Sequence, residues 1–175
     1  MANVKHAVVR IDGMAGTKNP VYLKHVMFYG ADDNVAEIDN AQIVVLGEKE
    51  GREVYKATAP TGTSTVGDLY LVAGVELFYD ESVTHYLTEW VNEAGKAVRA
   101  YKMVAGVDAF SATAEAFDGE PAVGKFVGFK AGSTKLVVKE AKDAATFGEI
   151  KEKETIGWGK GAYTYFLIDV CEPAV

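Results

Sequence analysis

The chain has 175 residues, 49% hydrophobic and 25% charged, a balance that excludes a disordered tail and suits an ordinary globular protein. Against 25 acidic side chains stand 18 basic ones, so the net charge is −7 and a grip on a phosphate backbone is not expected; the lone cysteine, Cys171, excludes a fold built on internal disulfides. Leu69–Tyr79 is too short to span a bilayer and carries Glu76, and Met1–His6 lacks the apolar core of a secretory signal, so neither a nucleic-acid nor a membrane partner is expected.

Valine, tyrosine, phenylalanine and threonine recur in short runs punctuated by glycine and proline, the pattern of strands. Val4–Ile11 is the first run, closed by Asp12-Gly13. With the loop Gly16–Pro20 it makes an extended N-terminal segment, Met1–Asn19, suited to strand addition onto a neighbour. Val21–Phe28, Ile43–Leu46 and Arg52–Ala59 follow, and Pro60 ends the last. Thr61–Thr65 is small, polar and uncharged. It reads either as a linker between an N-terminal β-rich segment or arm (residues 1–60) and a C-terminal β-barrel domain (residues 66–175), or as a surface loop in one continuous domain, 1–175.

Leu69–Tyr79 is the clearest predicted strand: the two-residue period puts Leu69, Leu71, Ala73, Val75, Leu77 and Tyr79 on one face. Thr88–Val91 and Lys96–Val104 read as a hairpin around Asn92-Glu93-Ala94-Gly95. Lys125–Lys130, Thr134–Lys139, Phe147–Thr155 and Ala162–Val170 complete the set, and Tyr163–Ile168, apolar on both faces, is expected at the centre of its sheet. Only Ser111–Ala116 and Glu140–Thr146 suggest helical turns. The expected fold is all-β, a small barrel or sandwich with short turns of helix and an extended N-terminal segment.

Motifs for chemistry are missing. There is no GxGxxG, no GxxxxGK[ST] and no HExxH. Gly157-Trp158-Gly159-Lys160-Gly161 leads into a strand, so it reads as a hairpin turn and not a phosphate cradle. Gly62–Gly67 has one residue too many for a nucleophile elbow and no helix after it. His85 and Glu89 lack a third ligand. Asp32-Asp33-Asn34 with Glu37 and Asp39 reads as a solvated acidic turn, because Ala36 breaks the calcium-loop pattern. Glu149, Glu152 and Glu154 interleave with Lys151 and Lys153, the mark of a solvent-facing strand guarded against edge pairing. Cys171 reads as a small apolar filler. No catalytic residue, cofactor site or metal site is therefore expected, and the chain is not read as an enzyme. Tyr79, Tyr86, Trp90 and Tyr101 cluster around the proposed hairpin and are the candidate protein interface, with core packing as the other reading.

Several segments in order resemble a family of tailed-phage capsid decoration (head-stabilising) proteins of Gram-positive hosts. They are Glu37–Gly47, Gly51–Pro60, Gly67–Ala73, Tyr79-Asp80-Glu81, Asn92–Tyr101 and Pro121–Val127, so the likeness runs from about Glu37 onward. Where such proteins carry a charged run after the Tyr-Asp-Glu segment, this chain has Ser82-Val83-Thr84-His85. The resemblance implies a virion protein, made in the host cytoplasm, that sits on the outside of the capsid. It implies the major capsid protein as partner, a homo-oligomer (trimer or dimer), and no catalytic residues. A phage tail or baseplate component is the nearest alternative. A carbohydrate-binding β-module, with Trp90 and Trp158 as stacking platforms, is another.

Overall fold

The computed structural model of the chain describes residues 5–78 and 85–174. Among these, twelve strands form two sheets, and every helical piece is a three-residue 3-10 turn. The strands are β1 (Val9–Gly13), β2 (Leu23–Phe28), β3 (Ile43–Lys49), β4 (Val54–Thr58), β5 (Leu69–Val72), β6 (Val98–Lys102), β7 (Ala109–Thr113), β8 (Phe117–Asp118), β9 (Phe126–Gly128), β10 (Leu136–Lys139), β11 (Thr146–Ile156) and β12 (Tyr163–Val170). Five of them close a barrel in the order β2-β4-β3-β5-β6, and the other seven make a sheet in the order β1-β7-β12-β11-β9-β10-β8. The all-β expectation holds, as a barrel packed on a sheet.

Apolar patterning explains this arrangement. On β5 and the first half of β3, Ile43 to Leu46, neither face is polar. Val44 and Val72 join Val26, Ala57, Val98 and Ala100 of the other barrel strands, with Ile38 from the preceding loop, in one cluster. Their neighbours Ile43, Leu69 and Leu71 turn the other way, into a larger cluster with Phe110, Phe147, Ile150 and Ile168 of the second sheet. Each fully buried aliphatic or aromatic side chain there contributes about 1.5–3 kcal/mol of transfer free energy. Buried polar groups tie the layers. Asp108 accepts from the backbone amides of Ala15 (2.7 Å) and Val104 (2.8 Å), and Thr134, in the loop leading into β10, hydrogen-bonds Gln42 beside β3.

Strand β12 sits between β7 and β11, the central place its two apolar faces require. Other expectations fail for identifiable reasons. The N-terminal segment is not a free arm over its described part: β1 pairs with β7 as an edge strand, and Ala7, Val8 and Met14 are buried. Thr61–Thr65 joins β4 to β5, which flank β3 in one barrel, so it is a surface loop and not a linker. The division at residues 1–60 and 66–175 does not follow the sheets, because the barrel draws strands from both parts and β1 belongs to the other sheet.

The hairpin predicted at Thr88–Val104 is absent. Leu87–Glu89 is a 3-10 turn, closed by the Glu89 carboxylate accepting from the Tyr86 amide (3.2 Å), and β6 pairs with β5 and β2 instead. Of the two helical turns, Ala114–Ala116 forms, while Ser111–Thr113 belongs to β7. Residues 140–146 make a non-helical bend held by Asp143. That carboxylate accepts from Lys139 Nζ (2.6 Å), Thr146 Oγ1 (2.8 Å) and the Ala145 amide (3.0 Å).

Leu71 is fully buried. Leu71→Asp is expected to show no cooperative unfolding transition, because the carboxylate would meet only apolar neighbours. Leu71→Ala should cost about 2–5 kcal/mol in urea denaturation followed by circular dichroism. The Lys139 ammonium, with the bonds from Thr146 and Ala145, holds the Asp143 carboxyl below the usual carboxylate range. A carboxyl depressed in the folded state stabilises fully above its unfolded value of about 3.9 and ceases to do so as pH falls through the lower folded value. Asp143→Asn should therefore melt lower than wild type at neutral pH, and the gap should narrow between about pH 5 and pH 2.

Candidate interaction surface

The predicted strand Leu69–Tyr79 stops at Val72, and what stops it makes the first surface feature. The backbone amide of Gly74 donates to Asn40 Oδ1 (2.7 Å), and its carbonyl accepts from Asn40 Nδ2 (3.3 Å). One buried side-chain amide thus replaces the next strand partner. Asn92 Nδ2 braces it by donating to Asn40 Oδ1 (3.0 Å) and to the Ile38 carbonyl (2.9 Å). Only glycine fits at 74, since a Cβ there would lie 2.0 Å from Asn92 Oδ1. Past this point the chain leaves the sheet. Val75 and Leu77, expected inside, are 57% and 50% exposed. They border an open cleft of about 420 Å3 with Trp90 and Ala97, and His25, Arg99 and the ion-paired Glu93 and Lys96 supply its polar lining. His25 and Arg99 are opposite one another on β2 and β6.

The second feature is the hairpin β11–β12. Its strands pair from Gly148 opposite Val170 out to Ile156 opposite Tyr163. Neighbouring β9 covers β11 only between Thr146 and Glu149, and β7 covers β12 only between Tyr165 and Asp169. The edge of β11 is therefore exposed from Lys151 to Ile156, about 20 Å of strand at about 3.3 Å per residue, and the last two pairs, Thr155 with Thr164 and Ile156 with Tyr163, form a two-stranded ribbon beyond β7. Thr155 and Thr164 hydrogen-bond across it at 3.0 Å, and Lys153 lies over the Phe166 ring. On β11, Glu152 and Glu154 share one face. The Glu149 carboxylate, hydrogen-bonded to Lys151, raises that ammonium's pKa. At the tip Gly157 and Gly159 take positive φ (91° and 60°), the turn expected for this loop, and Trp158 between them is 90% exposed.

The predicted interface residues scatter. Tyr79 lies outside the described residues, as do Ser82, Val83 and Thr84. Tyr86 is half-buried and lines a larger cleft of about 570 Å3 with Thr88, Glu115, Ala162 and Tyr163. Trp90 is half-buried, edge-on to Phe78 with ring centres 5.5 Å apart, and reaches the apolar cleft. Tyr101 drops out: at 5% exposure it is core, because the alternation of β6 turns it toward the second sheet with Leu71 opposite. His85 stacks on Phe78 at 4.4 Å and sets Nδ1 3.4 Å from Glu89 Oε2. Among the described residues no group of three or more histidine, cysteine or carboxylate side chains could hold a metal ion, and no helix is long and apolar enough to cross a membrane. Burial raises the Cys171 thiol pKa.

No protein-family model, curated protein or solved structure matches the chain.

Sequence reasoning singled out the glycine-flanked Trp158 loop but missed the cleft. Its only trace in the chain is Asn40, Gly74 and Asn92, three residues with no local pattern. Gly74→Ala is expected to lower stability by about 1–3 kcal/mol through overpacking against Asn92. Asn92→Ala should cost a similar amount by leaving the Asn40 amide network short of a donor. The double variant should cost less than the sum, since the clash vanishes with the Asn92 side chain; urea melts of the three variants give the coupling.

Proposed function

We propose that this chain is a non-enzymatic bacteriophage virion protein that binds the outside of the capsid as a small homo-oligomer and stabilises the shell. The supporting observation is where its apolar exposure lies. Trp158 stands at the tip of a projecting ribbon, and Val75 and Leu77 border an open cleft. Both are contact features on a two-layer core. An exposed tryptophan held between two glycines has value only when something covers it. The ordered resemblance from Glu37 onward names what kind of assembly such a body would join. Acidity fits the same role, because a net charge of −7 keeps free copies apart from packaged nucleic acid. Repetition over a lattice lets weak individual contacts sum.

The test takes heads of the parent phage assembled with and without the full-length chain. Co-sedimentation with the heads and a higher rupture temperature are expected. Equal rupture temperatures and no co-sedimentation would overturn the reading. Labelling of intact virions that marks tails or baseplates instead of heads would transfer the role there.

A further inference from the structure

We infer that the Trp158 ribbon tip of one copy seats in the Val75–Leu77 cleft of a second copy of this chain. The inference deepens the homo-oligomer part of the proposed function by naming the contact. It is measured in free solution, so its failure leaves shell binding untouched.

The two features complement each other in chemistry. Trp158 is a large apolar knob, 90% exposed, at the tip of the β11–β12 hairpin. The cleft offers Val75, Leu77, Trp90 and Ala97 as an apolar wall, and at about 420 Å3 it has room for an indole. Other exposed aliphatics, Val21, Val107 and Val123, are single residues in separate parts of the chain and border neither this cleft nor the larger one. Among the described residues, Trp158 of the same chain does not line the cleft.

Charge points the same way. Behind the knob, Glu152 and Glu154 share a face of the exposed ribbon; Glu154 is 4.0 Å from Arg10, and Glu152 has no ion pair among the described residues. The cleft lining carries Glu93 and Lys96, paired with each other, beside the exposed His25 and Arg99, and Arg99 has no ion pair among the described residues. Glu152 beside the apolar tip is the charge complement of Arg99 beside the cleft's apolar wall. An anionic lipid surface would be repelled by Glu152 and Glu154. A sugar would need polar groups around the indole, and Trp158 is flanked by glycines.

Area sets the form of the assembly. A tryptophan supplies about 150–250 Å2 of the roughly 800 Å2 that each partner gives to a standard interface, so the ribbon must contribute and one contact alone is weak. Knob and cleft are different patches. Their union closes as a reciprocal dimer or a small ring where the rotation between copies permits and runs on as an open filament where it does not; in the closed forms each copy uses both patches and the contacts reinforce one another.

The experiment is sedimentation equilibrium on the full chain and two variants, Trp158→Ala and Leu77→Glu, each checked for an unchanged melting temperature. Wild type should self-associate at up to about 100 μM, and each variant should weaken this by about 30-fold or more. Mixing the two variants is the decisive arm. Trp158→Ala keeps an intact cleft and Leu77→Glu an intact knob, so the mixture should form a one-to-one heterodimer that neither variant forms alone. Its formation should blue-shift the Trp158 fluorescence of the Leu77→Glu copy. A monomeric wild type, association unchanged in either variant, or no heterodimer in the mixture would overturn the inference. So would wild-type heads that lose the protein on Trp158→Ala while free wild type stays monomeric, since the shell would then be the occupant.

Discussion

Strand β5 and the first half of β3, Ile43 to Leu46, have no polar face to give to water, and the rest of the molecule is arranged around that constraint. A half-apolar strand can lie on the outside of a single barrel. A strand with Val44 and Val72 on one side and Ile43, Leu69 and Leu71 on the other cannot, so the barrel needs a second layer against its wall. The seven-stranded sheet is that layer. Its own apolar side chains, Phe110, Phe147, Ile150 and Ile168, exist to meet the barrel. The join is fixed in register by polar groups with both partners present: Gln42 to Thr134 across the layers, and Asp108 holding the amides of Ala15 and Val104.

This architecture also explains the path of the chain. The N-terminal residues cross to the second sheet before the barrel is begun, and β6 must leave the barrel for β7 through the turn that Asp108 closes. No cut at residues 60–66 could separate the parts, because each layer would lose a strand or a face. The polar loop Thr61–Thr65 looks like a linker by composition alone. Composition carries no information about which strands its ends pair with, and here both ends lie beside β3.

What was legible in the sequence follows the same logic. Central placement of β12 and the hairpin turn at Gly157–Gly161 were readable, since each depends on side chains within a few residues of one another. The strand from Leu69 was readable only to the point where a distant residue intervenes. Alternation counts apolar side chains, and Val75 and Leu77 keep the period; what ends the strand is an amide 34 positions earlier, Asn40, taking the hydrogen bonds of Gly74. The failed hairpin at Thr88–Val104 is a smaller case, in which one carboxylate, Glu89, closes a 3-10 turn that a propensity count cannot see. Tyr101 and Trp90 look alike as aromatic residues near a turn. Only the barrel decides that the first is core and the second borders a surface.

The ribbon and the cleft, though distant in sequence, come from one kind of event: a strand that outlasts or falls short of its neighbours. Strand β11 runs past the end of β9 and, with β12, past the end of β7, whereas β5 stops early and leaves its apolar continuation in the open. Free strand edges invite indiscriminate pairing. The hairpin counters this with lysine and glutamate in alternation from Lys151 to Glu154, so its long edge is charged and its exposed apolar groups, Ile156 and above all Trp158, are at the tip. A contact surface built this way is directional. Side-by-side stacking of ribbons would set rows of like and unlike charge against each other without burying any apolar area, while end-on insertion buries an indole and leaves the charged edges in water. The same alternation that protects the free molecule therefore selects how it can be joined.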